Sequence, residues 1–157
     1  MEKIYQILNK TVETLLVVIF GLLVIDVVWQ VISRYVVGRS SSFTEEFARF
    51  SLIWLTVIGA TYINGQKEGH LSMDFLLSKL SEDKKRKRQK MIQVLMALFA
   101  LVVMVVGGGN LVYTTLRLGQ TSPALQLPLG YVYAIVPFCG LLIIFFSIYN
   151  IRKLNFE

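Results

Sequence analysis

Residues 12–32 read VETLLVVIFGLLVIDVVWQVI, an apolar run in which Glu13 and Asp26 are the charged residues. A helix needs about 20 predominantly apolar residues to cross the hydrocarbon core of a bilayer. Lys3 and Lys10 precede the run, as basic residues do in a signal peptide. The run is longer than a signal core of roughly 7–15 residues, however, and no small-residue cleavage site follows it. We therefore expect a membrane-spanning helix that is retained in the protein.

Three further apolar runs follow, and the composition of the whole chain agrees with a membrane protein. Hydrophobic residues make up 55% of the 157 positions and charged residues only 17%, against about 25% in typical soluble domains. The charges are clustered between the apolar runs. The sequence predicts an all-α integral membrane protein, a single four-helix domain over residues 1–157 with approximate spans at 12–33, 44–64, 88–116 and 130–151.

Lysine and arginine are distributed unequally between alternate connecting segments. The segment between the second and third spans contains KKRKRQK at 84–90, and further basic residues lie near both chain ends. The opposite segments hold Arg34, Arg39 and Arg117, with Arg49 at the edge of the second span. Because cytoplasmic loops carry the excess of lysine and arginine, we expect both termini in the cytoplasm. The net charge of +6 is explained by this topology, so we expect no nucleic-acid partner.

The first outer loop leads into the second span through a charged segment. Ser42 and Glu45 have the spacing of a capping box, which predicts that the helix starts there. Glu45 and Glu46 would lie in its first turn, and Arg49 is spaced to pair with either carboxylate. Two interpretations remain open at this point. The segment is either an ordinary capped helix start or a charged outer platform that another protein touches.

The long inner segment between the second and third spans is amphipathic. Leu71, Phe75 and Leu76 recur at helical spacing within residues 70–80. This pattern predicts a short helix that rests in the inner headgroup region or against a partner helix. The basic run at 84–90 would follow as a stem that sets topology and contacts anionic lipid.

Polar residues inside the spans are candidates for helix packing or for transport. Asp26 is the carboxylate deepest within a span, and Asn110 lies at a similar predicted depth in the third span. We expect these two residues, with Gln30, to hold helices together, while a proton- or ion-carrying role for Asp26 is the alternative. The Gly107–Gly109 run favours close helix approach or a kink, and Pro137 a bend in the fourth span.

Catalytic, haem and metal sites have little support in the sequence. His70 is the single histidine and Cys139 the single cysteine, so one chain cannot supply two axial histidines or a disulfide. With Asp74 one turn on, His70 suits a polar interfacial contact, and burial as a small packing residue suits Cys139. We expect no enzyme, no cofactor and no metal.

An ordered series of short motifs carries a family resemblance. The series comprises SRY at 33–35, TEEFARF at 44–50, Trp54, GA at 59–60 and GHLSMDFL at 69–76. It resembles the small membrane subunit of tripartite ATP-independent periplasmic (TRAP) transporters, the DctQ-like family, and the likeness extends to the Leu-Pro step at 127–128. One departure is Lys67, where the family often has arginine.

The resemblance implies a bacterial inner-membrane complex. In that family a periplasmic binding protein captures an organic anion, such as a dicarboxylate or sialic acid, and a large membrane subunit moves it with a sodium gradient. The small subunit would pack against the large one as scaffold and help to dock the binding protein. The matching positions for an outer docking cluster are Arg34, Glu45, Glu46 and Arg49. Those for structural or subunit-contact roles are Trp54, Gly59, His70 and Asp74.

A self-contained proton-coupled exporter with an essential carboxylate in its first helix is the rival interpretation. Asp26 would be that carboxylate. Such exporters need little charge bias if their protomers insert in both directions, whereas the bias here is heavy. The accessory-subunit interpretation is therefore preferred.

Overall fold

The computed structural model describes residues 2–36, 38, 41–66 and 82–156, and these are almost entirely helical. The segments are α1 (Glu2–Val36), α2 (Ser42–Gly65), α3 (Glu82–Phe99), a π-helical segment (Ala100–Gly107), α4 (Gly108–Arg117), α5 (Leu129–Tyr133) and α6 (Ile135–Phe156). Within these residues there is no β-strand, and the Thr121–Pro128 pair forms an isolated bridge. The all-α prediction is confirmed.

Four helical runs in the described residues are long and apolar enough to cross a membrane, as expected. They are Glu2–Val36, Ser42–Gly65, Arg86–Arg117 and Leu129–Leu154. The first contains 35 residues and would be about 52 Å long at 1.5 Å per residue, which exceeds a hydrocarbon core of about 30 Å. The helix continues through its polar first turns because helix formation needs no apolar side chains. The predicted interfacial helix at 70–80 lies outside the described residues.

The helices pack in the spatial order first, second, fourth, third. α1 contacts α2, α2 contacts α6, and α6 contacts both α3 and the π-helical segment. A small core forms where α1, α2 and α6 meet, around Val12, Ile58 and Cys139. Cys139 is only 1% exposed, which agrees with a packing role for this thiol. The fourth span is thus the central helix of the fold.

The third and fourth spans cross closely because glycine leaves room for backbone approach. A Cβ atom on Gly140 would lie 2.8 Å from the Cβ of Met104, and one on Gly108 would lie 3.0 Å from a Val136 methyl. Gly109 has nothing within 4 Å, so within the glycine run it is Gly108 that permits the contact. The fourth span is interrupted between α5 and α6, close to Pro137, as expected for a proline that cannot donate a backbone hydrogen bond.

Much of the apolar helix surface is left uncovered within the described chain. In the most apolar stretch of α1 only 6% of the residues are buried. The corresponding share is 11% in the third span and 33% in the fourth span. These side chains can face lipid, or a partner in the membrane, without the cost of exposing them to water.

Candidate functional site

The two ends of the helix bundle have different chemistry. We call the end that carries the start of α2 and the 119–128 loop the loop end. The opposite end, where the start of α1, the end of α2 and the end of α6 meet, is the terminal end. Most of the sequence-predicted site residues that the structure describes lie towards the loop end.

At the loop end, Glu46 on α2 binds the 119–128 loop. Its Oε2 atom accepts a hydrogen bond from the Ser122 hydroxyl, from Ala124 N at 3.1 Å and from Leu125 N at 3.0 Å. Ser122 is 1% exposed. Hydrogen bonds to an ionised carboxylate are roughly twice as strong as neutral ones, so this group fastens the loop to α2.

The 119–128 loop also has a defined backbone of its own. Ser122 N donates to Leu127 O at 2.9 Å, and Gln126 N donates to Ser122 O at 3.0 Å. Gln126 has a φ of 57°, in the left-handed region that few residues other than glycine adopt. Glu46 therefore holds a compact turn rather than an extended strand.

Glu45 and Arg49 form the exposed part of the predicted cluster. Their ion pair spans 3.7 Å, and both side chains are more than 60% exposed, so it contributes little stability. A depression of about 250 Å³ lies beside them. It is lined by Ser42, Glu45, Glu46, Arg49, Pro123 and Ala124. The depression has a charged wall from α2 and an apolar wall from the loop.

Arg34 does not join the other three members of this cluster. It lies exposed in the last turn of α1. In the described part of the chain no hydrogen bond or ion pair connects it to Glu45, Glu46 or Arg49. Three members of the predicted set thus share the first turns of α2, and Arg34 lies on α1.

The helix α2 begins at Ser42, as predicted, but the predicted capping box of Ser42 and Glu45 is wrong. The helix cap is Ser41, one residue earlier, and its side chain makes no capping hydrogen bond. Instead, the hydroxyl of Thr44 donates to Ser41 O at 2.9 Å. Because Ser42 is already inside the helix, its hydroxyl is not placed to cap the first turn.

The predicted pairing of Asp26 with Asn110 is also wrong. Asp26 accepts a 2.7 Å hydrogen bond from Gln30 Nε2, which also donates to Thr44 O on α2 at 3.0 Å. Asn110 is exposed, and no hydrogen bond joins it to Asp26. The reason is the order of the helices. Asp26 lies on α1, which packs on α2, whereas Asn110 lies on the third span, and α6 lies between α2 and that span. Gln30, rather than Asn110, links this polar site to a second helix.

Trp54 and Gly59 have separate roles in packing α2. Trp54 Nε1 donates to Val132 O at 2.9 Å, which ties α2 to the short helix α5. A Cβ atom on Gly59 would lie 3.8 Å from Leu16 on α1, an ordinary van der Waals distance. Gly59 therefore sits at a helix contact but is not required there by lack of space.

The terminal end contains a polar cluster that was not predicted from the sequence. Asn64 is 1% exposed, and its Nδ2 atom donates to Ile143 O at 3.3 Å and Ser147 Oγ at 3.1 Å. Asn150 Nδ2 donates in turn to Asn64 O at 3.1 Å. The sequence carries a signal for this cluster, because these polar residues interrupt two apolar runs near the same predicted membrane face. Spacing alone does not reveal that they meet.

His70 and Asp74 lie outside the described residues. Among the residues that the structure describes, no group of three or more histidine, cysteine or acidic side chains could hold a metal ion. The described polar residues form hydrogen bonds between helices and, at the loop end, an exposed charged cluster.

Comparison with known proteins places the chain in one transporter family. The family model for the DctQ component of tripartite ATP-independent periplasmic transporters matches residues 22–155. A protein of Haemophilus influenzae strain Rd, provisionally named a TRAP transporter small permease protein, is 27% identical over 143 residues. That match covers 91% of this chain and 86% of the relative. The chain therefore belongs to the DctQ family, the small permease components of TRAP transporters.

Proposed function

We propose that this chain is the accessory scaffold subunit of a sodium-driven TRAP transporter. In this proposal it packs as one four-helix domain beside the large membrane subunit and helps to dock the periplasmic binding protein. The observation that carries the proposal is the match to the DctQ component over residues 22–155. The chain itself has no catalytic role.

The uncovered helix faces support packing against a large membrane partner. Exposed apolar side chains run along α1 and along the third span, for example Phe20, Ile25 and Phe99, each more than half exposed. Two neighbouring membrane proteins associate through such faces by van der Waals packing. A scaffold role needs a large outer surface rather than a solvated path through the bundle.

The orientation that we propose places the terminal end in the cytoplasm of a bacterial inner membrane. Lys3 and Lys10 on α1 and Lys153 on α6 lie towards this end, together with the basic stem of α3. The loop end carries fewer basic residues. The positive-inside rule then places the loop end in the periplasm, where the binding protein would be met.

The loop end supports the proposed docking role. The Glu45–Arg49 pair and the 119–128 loop form a surface with exposed charge, defined shape and a shallow depression. Binding residues are often carried on loops that a rigid scaffold positions. The transported compound would be an organic acid, either a dicarboxylate or a sugar acid such as sialic acid, selected by the other two components.

Co-purification with the large subunit tests the scaffold role. A tagged form of this chain is expressed alone and together with the large subunit of the same transporter, followed by size exclusion in detergent. We expect a stable complex of the two chains. A tagged chain that elutes without the large subunit in mild detergent and in nanodiscs would contradict the proposal.

A substitution at Asp26 separates the scaffold role from the exporter alternative. Because Gln30 already satisfies one carboxylate oxygen, Asp26→Asn preserves the size of the side chain and most of the contact. We expect assembly and uptake to persist. Normal assembly with uptake abolished would instead assign an ionic role to Asp26.

A further inference from the structure

The 119–128 loop has one side held against α2 and one exposed face. Ser122 on the held side is 1% exposed, whereas Leu127, whose carbonyl accepts a hydrogen bond from Ser122 N across the turn, is 49% exposed. Pro123 and Gln126 are exposed as well. Glu46 binds the held side, and the side chains of the exposed face make no hydrogen bond to a helix within the described residues. The loop therefore presents a small, largely apolar surface in one conformation.

Glu46 is the side chain from outside the loop that, in the described structure, binds the loop backbone. One carboxylate oxygen accepts from a hydroxyl and from two consecutive peptide groups, Ala124 N and Leu125 N. Without that carboxylate, the two partly buried N–H groups would lose their acceptor, which favours other loop conformations. The order of the loop thus depends on a residue of α2 that is distant in sequence.

We infer that Glu46 is a positioning residue, and that the exposed face of the loop, formed by Pro123, Gln126 and Leu127, contacts the periplasmic binding protein. This inference rests on the docking role proposed above. It assigns different tasks to two adjacent carboxylates. Glu46 has one oxygen committed to the loop and acts through it, whereas Glu45 is 63% exposed on the surface beside the loop.

The size of this exposed face favours the soluble component as its partner. A patch of three exposed side chains suits a weak, transient contact, which buries less area than a permanent subunit interface. The large subunit can instead use the much larger apolar helix faces. A preformed loop also increases affinity, because the partner does not have to order it on binding.

The experiment uses the complex of small and large subunits in nanodiscs, with the purified periplasmic component of the same transporter as probe. Loop mobility is read from a nitroxide label at Gln126→Cys in a Cys139→Ala background. Affinity is read by titration with the probe. The variants are Glu46→Ala, the milder Glu46→Gln, the neighbouring control Glu45→Gln, and Leu127→Asp on the exposed face of the loop.

We expect Glu46→Ala to sharpen the label spectrum, because a more mobile nitroxide gives narrower lines. The same variant should weaken binding of the probe by about tenfold in Kd. Glu46→Gln should show a smaller change in both readings, and Glu45→Gln should leave the spectrum unchanged. Leu127→Asp should weaken binding without loosening the loop, a result that a purely structural role for the loop would not give.

The possible failures are distinguishable. An unchanged spectrum in both Glu46 variants would overturn the positioning role, whatever happens to affinity. A loosened loop with unchanged affinity would overturn the assignment of the exposed face as the contact. If Leu127→Asp also leaves affinity unchanged, the docking role proposed for this subunit fails at the loop, while its scaffold role is unaffected.

Discussion

The ring of Tyr5 stacks on the ring of Tyr149, with their centroids 4.3 Å apart and their planes 14° apart. The Tyr5 hydroxyl also donates to Gly65 O, so one residue near the start of α1 contacts the ends of α2 and α6. Phe146 completes the group, edge-on to Tyr5. The start of α1 and the later turns of α6 therefore meet at the terminal end, on one side of the four spans.

Topology reporters on the two chain termini should both lie in the cytoplasm, and a reporter in the 119–128 loop should lie in the periplasm. Green fluorescent protein fused to either terminus should fluoresce, because it folds in the cytoplasm, where the lysine and arginine bias places both ends. Alkaline phosphatase inserted after Gln126 in the 119–128 loop should be active, because that enzyme requires the periplasm. Fluorescence from one terminus only, or an inactive phosphatase, would contradict the proposed orientation.

Trp54→Phe should destabilise the protein by roughly 0.5–1.5 kcal/mol, the typical net value of one hydrogen bond. The substitution keeps an aromatic ring but removes the Nε1 donor that binds Val132 O. The free energy of unfolding can be measured by SDS titration in mixed micelles. Trp29→Phe is the matched control, since Trp29 is 57% exposed on α1 and should show almost no change.

Asn64→Ala should cost more, about 1–3 kcal/mol, because it removes a buried amide and leaves its partner Ser147 Oγ with fewer hydrogen bonds. Asn110→Ala is the control, an exposed asparagine that should change stability by less than about 0.5 kcal/mol. A double-mutant cycle with Ser147→Ala measures the coupling directly. Additive effects in that cycle would show that the two side chains do not interact.

Gly140→Ala should weaken the packing of the third and fourth spans by about 1–3 kcal/mol, the usual cost of overpacking. The new methyl would lie 2.8 Å from the Met104 Cβ, which cannot move without its helix. Gly109→Ala has open space and should be neutral or stabilising. Equal stability of the two variants would show that the helices do not cross at Gly140.

The spans were predictable from the sequence because apolar run length is set by bilayer thickness. The runs around residues 12–32 and 91–116 needed no knowledge of neighbouring helices. The glycine run at 107–109 predicted a close approach in the third span, and Gly108 makes it. Which glycine of the opposing helix would matter was not predictable, because Gly140 gains its role only from the crossing geometry.

Side-chain pairing was less predictable, because depth in a membrane does not determine which helices are neighbours. Asp26 and Asn110 have similar predicted depth, yet α2 and α6 lie between α1, which carries Asp26, and the third span, which carries Asn110. The Glu46–Ser122 contact joins residues 76 positions apart, and no local pattern links them. Glu45 and Glu46 look equivalent in the sequence, and only the folded loop distinguishes them.

Sodium-driven uptake in proteoliposomes from which single components are omitted tests the accessory-subunit role most directly. We expect uptake when this chain, the large subunit and the periplasmic component are all present. We expect none with this chain alone, and a strong reduction when this chain is left out. Uptake by this chain alone, driven by a proton gradient, would contradict the accessory-subunit account and make Asp26 the residue to study.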